Sequence, residues 1–160
     1  MVTEKQLNEA KEVVAYYTLA ATATGAIPVP AASVAIAAQN GVMIAHVASA
    51  VGVEITVANI VESMGLAATL NVVGRNLFIE GAKLLSWGTA SVWAAVALSA
   101  LGATTAGVQT YIIGRIAIEI GKNGGKPLAA SYTSKIIDDC KETYDSFVAE
   151  WSKKNIKKPE

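Results

Sequence analysis

The sequence predicts an all-α protein: a helical bundle of hydrophobic, small-residue-rich hairpins with an amphipathic C-terminal helix. Three observations carry this expectation. Apolar residues recur at helical spacing, strict strand-like alternation is absent, and Gly or Pro stands at the main changes of pattern. Of 160 residues, 52% are hydrophobic, 6% aromatic and only 16% charged. A typical domain is about 25% charged, so the deficit of charge is what needs explaining. Most of the apolar excess is Ala, which makes the hydropathy broad but shallow.

Residues 3–24 read as the first helix, with Leu7, Ala10, Val14, Tyr17 and Ala21 on one face and charge on the other as far as Glu12. Gly25, Pro28 and Pro30 break it, because proline lacks the backbone donor and disfavours helix in the residue before it. Residues 31–51 resume as an Ala-rich helix stopped by Gly52. Thr56 is the expected N-cap of a helix reaching about Val73, with Gly74 as its stop. Residues 75–83 form a short helix or a continuation, and 84–120 one long helix or two. GKNGGKP is a break. Residues 131–154 are amphipathic, with Ile136, Ile137, Cys140, Tyr144, Phe147, Val148 and Trp151 on one stripe. The length suits one domain; within it, 1–122 reads as a membrane-associated helical unit and 123–160 as a linker and cytoplasmic amphipathic helix.

Charge is segregated. None occurs in 13–53 or in 84–114. A bilayer span needs about 20 consecutive, mostly apolar residues, and 31–53 and 84–114 both have that length. Gln39, Asn40, His46, Gln109 and many Ser, Thr and Gly dilute them. Each large apolar residue contributes only about −0.3 to −0.6 kcal/mol to insertion, so the balance is marginal. Ser91, Ala95, Ser99, Ala103 and Gly107 repeat every four residues as a ridge of small side chains. Such a ridge lets helices approach closely in lipid, and it also suits a seam inside a water-soluble bundle. Arg115, Lys122, Lys126, Lys153, Lys154, Lys157 and Lys158 follow the second uncharged run. On the membrane reading they place the C-terminal part, and with two spans both termini, on the cytoplasmic side of the inner membrane.

Little catalytic chemistry is legible. Thirteen acids balance thirteen bases, which argues against nucleic acid as a partner. Cys140 has no partner for an internal disulfide, and its setting IIDDCKETY reads as a reduced cytoplasmic helix. The opening MVTEKQLNEAKE is charge-rich and acidic, so no cleavable signal peptide is expected. His46 is the sole histidine, so no metal site of ordinary type is expected. Asp138 and Asp139 point to different parts of a helix surface and read as a solvated face. GKNGGKP lacks the Lys-Ser/Thr ending of a phosphate loop and follows no strand. No catalytic residue or cofactor site is expected. His46 is either a packed neutral side chain or, with Thr104, Thr105 and Gln109, part of a polar path.

Four motifs occur in a defined order: AIPVPAAS, SAVGVEIT, Gly74-Arg75-Asn76-Leu77 and Tyr111-Ile112-Ile113-Gly114-Arg115. Their order and spacing over about residues 13–122 resemble the bacterial domain-of-unknown-function family six-nine-seven. That family comprises the YcjF-like inner-membrane proteins joined to, or encoded beside, Era-like GTPases. Ser33 stands where the family often carries an acid, and LLSWGTAS lacks its usual Pro. The resemblance implies an α-helical, membrane-associated module often working with a GTPase, here in trans, and brings no catalytic residues.

Two functional readings follow. One is a non-enzymatic membrane protein that contacts lipid, forms homo-oligomers through the Ser91–Gly107 ridge and has a channel or pore variant. The other is a soluble all-α interaction module that regulates or reads a GTPase. The ridge is directly testable: Ala95→Leu with Ala103→Leu is expected to reduce oligomer size in detergent by light scattering, and an unchanged size removes the ridge from the argument.

Overall fold

The first helix begins at a reciprocal cap. Thr3 Oγ1 accepts from the Gln6 backbone N–H at 3.3 Å, and Gln6 Oε1 accepts from the Thr3 N–H at 2.9 Å. The computed structural model describes residues 1–23, 33–68 and 106–160. Over these it is all-α, with no strand: α1 (Glu4–Ala23), α2 (Ser33–Val51), α3 (Val57–Ala68), α4 (Ala106–Lys122) and α5 (Ala130–Trp151). The same capping logic starts α3, where the Asn59 N–H donates to Thr56 Oγ1 and the Thr56 N–H donates to Asn59 Oδ1. Gly52 ends α2 at φ 68°, and Gly124 and Gly125 turn the chain between α4 and α5 at φ 69° and 83°. A side chain at Gly125 would meet the Glu54 carbonyl as well as the backbone strain.

The central helix is α4. Only Val108, Arg115, Glu119 and Lys122 along it are not buried. It packs against α1, α2 and α5, and α1 packs on α2. Ile112, Ile116 and Ile120 of α4 join Val14 of α1, Met43 and Val47 of α2, Ile60 of α3 and Ile137 of α5 in one core. Burying side chains of this size contributes about 1.5–3 kcal/mol each. The stripe read for α5 is its packed face: Ile136, Ile137 and Cys140 are buried, while Tyr144 and Phe147 lie partly buried against the core.

Register follows from specific pairs. Val14 lies on Gly114 and Thr22 on Gly107, so α1 and α4 are antiparallel. Gln6 Nε2 donates to the Val51 carbonyl at 3.1 Å and Gln39 Nε2 to the Tyr17 carbonyl at 3.2 Å, so α1 and α2 are antiparallel too. Asn40 pairs with Thr110, and Val51 lies on Gly121, so α2 and α4 run parallel. Ala23, Ser33 and Ala106 therefore gather at one end of the bundle. At the other end, the Leu128 N–H donates to Ser63 Oγ at 3.0 Å and ties the turn after α4 to α3.

The 31–53 stretch, a candidate span by length and lack of charge, is a bundle helix from Ser33 to Val51. Its apolar side chains Met43, Ile44, Val47 and Val51 enter the protein core, and Gln39 and Asn40 bond neighbouring helices. Among the described residues no helix is long and apolar enough to cross a membrane. Gly25, Pro28 and Pro30, the expected helix break, lie outside the described residues, although α1 ends at Ala23 just before them. The 123–160 segment packs on α3 and α4 through α5.

Gly107, Gly114 and Gly121 stand seven residues apart on α4, and each faces a side chain of another helix. A methyl group at Gly114 would lie 2.5 Å from Val14 Cγ1, and a helical Val has one strongly preferred rotamer with which to evade it. Gly114→Ala is therefore expected to destabilise by about 1–3 kcal/mol in chemical denaturation. Adding Val14→Ala should make the double variant more stable than the sum of the two single effects. Strict additivity would show that the two positions do not meet.

Candidate functional site

At the end where Ala23, Ser33 and Ala106 gather, the packing changes from apolar to polar but uncharged. Thr22 Oγ1 donates back to the Thr18 carbonyl at 2.8 Å and also lies 2.7 Å from Tyr144 Oη of α5. The absent side chain of Gly107 makes room for both groups. On the adjoining interface, Thr110 Oγ1 donates to Asn40 Oδ1 at 3.0 Å, fully buried. Thr18 Oγ1 and Gln109 Oε1 are buried with no hydrogen-bond partner among the described residues. Each such atom costs about 1–3 kcal/mol relative to a satisfied one, so this is the less stabilised end of the core.

His46 belongs to the α1–α2 interface. Its Nδ1 lies 2.9 Å from Tyr17 Oη. Burial raises the Tyr17 phenol above its ordinary pKa, with Tyr16 adding to the effect, so the phenol keeps its proton. The direction of the bond follows the tautomer: with the ring hydrogen on Nε2, Tyr17 Oη donates to Nδ1, and with a hydrogen on Nδ1 the phenol oxygen accepts. The pair is a packed polar contact, and no bond joins His46 to Gln109 among the described residues.

A groove of about 770 Å³ runs between α1, α4 and α5, lined in part by Lys11, Arg115, Lys122, Phe147, Trp151 and Lys154. Arg115 organises it. Its Nη2 pairs with Asp139 at 3.2 Å, and its Nη1 donates to Tyr111 Oη at 3.1 Å. Tyr111 in turn stacks on Phe147, ring centroids 4.2 Å apart. The Tyr-x-x-Gly-Arg motif thus has three structural tasks: Gly114 admits α1, while Tyr111 and Arg115 hold α5. Three of its cations are paired with acids: Arg115 with Asp139, Lys122 with Glu119 at 2.8 Å and Lys154 with Glu150 at 2.7 Å. Among the described residues lining the groove there is no Ser, Thr, Cys or His. Among the described residues no group of three or more His, Cys, Asp or Glu side chains could hold a metal ion.

Of the residues singled out for the oligomer ridge and the polar path, His46, Gln109 and Gly107 are described. Ser91, Ala95, Ser99, Ala103, Thr104 and Thr105 lie outside the described residues. Gly107, expected at the end of an oligomer ridge, is buried inside the bundle against Thr22 and Tyr144. Sequence reasoning missed Tyr17, Thr22, Asn40 and Tyr144 as partners. It also missed the seven-residue spacing of Gly107, Gly114 and Gly121, which is present in the sequence and overlaps the four-residue repeat at Gly107.

Cys140 is buried on the packed face of α5, and burial pushes its thiol up from an ordinary 9.0 to about 12, with nearby Arg115 opposing and Asp139 reinforcing the shift. It is expected to resist maleimide in the native protein and to react on unfolding. Because the folded pKa is the higher one, this contribution to stability is fully present below about pH 9 and is lost as pH rises toward about 12. Cys140→Ala should therefore flatten the fall of Tm with alkaline pH, and an identical slope would contradict the burial.

No protein-family model matches the chain, and neither a curated protein nor a solved structure matches it.

Proposed function

We propose that this chain is a non-enzymatic, membrane-associated helical protein of the inner membrane that self-associates and acts with an Era-like GTPase supplied in trans. One observation carries the reading. Every Asp, Glu, Lys and Arg of α1 lies within residues 4–12 and every one of α4 within 115–122, while α2 has none of the four and carries only His46. Since α1 and α4 are antiparallel, both sets fall toward the same end. The opposite end of these three helices is free of charge, and the uncharged segments 24–32 and 84–105 adjoin it in sequence.

An ionised group near a bilayer centre costs about 2.5–3.5 kcal/mol on insertion scales, so this polarity suits an end turned toward lipid. The lipid contact falls to the uncharged sequences outside the described helices. Self-association falls to Ser91, Ala95, Ser99 and Ala103, since Gly107 is already engaged. In the channel variant, Thr104, Thr105 and Gln109 border a polar path. The resemblance to the six-nine-seven family supports both the membrane setting and the GTPase partner. A second reading, a helical interaction module working in water, is favoured by the absence among described residues of any helix able to cross a membrane and by the charged, aromatic groove beside Arg115.

Fractionation separates the two. The full chain is expected to stay with membranes through a carbonate wash and to leave them only with detergent. Recovery in the detergent-free supernatant would reject the membrane reading and leave the interaction module.

A further inference from the structure

Beyond α5 the chain does not trail away. The Lys153 and Lys154 N–H groups donate to the carbonyls of Glu150 and Trp151, and the Ile156 N–H donates to that of Lys154. Ile156 is partly buried and shares a cleft of about 360 Å³ with Tyr16, Leu19, Ala20 and Ala23. These four belong to the last two turns of α1, the half of that helix without charge. The tail is thus held beside the uncharged half of α1, at the end where α5 brings Glu142, Asp145 and Glu150 to the surface.

Residues 151–160 contain four lysines and one glutamate. Lys154 is engaged, bonded to Glu150 and lying 3.8 Å from the centroid of the Trp151 ring. Lys153, Lys157 and Lys158 are exposed and have no ion pair among the described residues. Free lysines beside the uncharged half of α1 match the charge order of a bilayer surface, with anionic headgroups outside hydrocarbon. Long lysine stems suit such a boundary, burying methylenes while the ammonium group reaches phosphate.

We propose that Lys153, Lys157 and Lys158 form a docking surface for the anionic headgroups of a phospholipid bilayer, orienting toward the membrane the end of α1, α2 and α4 that lacks Asp, Glu, Lys and Arg. This deepens the membrane reading above and rests on it. A lysine near an anionic surface is worth about a fivefold gain in partitioning, so three give about a hundredfold at low salt, weakening as salt screens the surface.

The test uses the full chain in flotation with vesicles of phosphatidylcholine alone or mixed with phosphatidylglycerol. Wild-type protein should prefer the anionic vesicles by about a hundredfold at low salt. K153Q/K157Q/K158Q should lose that preference while retaining its helical circular dichroism and its binding to neutral vesicles. K5Q/K126Q/K135Q, which removes equal charge elsewhere, should keep the preference; equal loss in this control overturns the proposal. Tighter binding of the same lysines to single-stranded RNA than to anionic vesicles also overturns it. Equal wild-type binding to both vesicle types defeats the tail proposal and leaves the membrane reading standing. Failure to bind either type defeats both.

Discussion

The architecture depends on how closely α1 can approach α4. A glycine opposite Val14 removes the side chain that would hold the two backbones apart, and glycines one spacing of seven above and below repeat the arrangement against other partners. Close approach converts a modest, Ala-rich composition into a core, because short side chains gain dispersion only when the backbones carrying them are near. The large residues of α4, the isoleucines at 112, 116 and 120, are then left to fill the space among α2, α3 and α5. Without that division of faces, α4 would have to be bulky on every side and could not be central.

The two ends of the bundle are built from different materials. Toward Gly121 the core is aliphatic, and the turns are closed by backbone-directed bonds such as Leu128 to Ser63. Toward Gly107 it is threaded with hydroxyls and amides, and two buried oxygens go without partners among the described residues. The Asn40–Thr110 bond sets a register between α2 and α4 that purely apolar packing would leave free to slip by a turn. Polar uncharged groups at this end are compatible with a neighbour that is neither bulk water nor saturated core, which is why the functional reading turns on it.

How much of this was legible follows from the range of each interaction. Local determinants read well. Thr56 at the start of α3, Gly52 at the end of α2, the GKNGGKP turn and the stripe on α5 act within a few residues, so their signals lie in adjacent letters. Long-range pairings did not read. Nothing near His46 announces Tyr17, and nothing near Gly107 announces Tyr144, because those contacts exist only after three helices have chosen their faces. The uncharged run ending at residue 53 misled for a related reason: lack of charge marks removal from water, and protein interior and lipid both satisfy it. Only the packing of α2 against both α1 and α4 separates them.

The main partner of α1 begins about eighty residues after α1 ends. During synthesis at about 5–20 residues per second, α1 and α2 leave the ribosome roughly ten seconds before α4 can cover them. In that interval the Val14 and Met43 side chains lack the α4 residues that share their core in the finished bundle. A chain assembled in this order gains from an early, local helix pair such as the one fastened by Gln6 to Val51. The long wait exposes it to chaperones or to a nearby surface before its own last helices arrive.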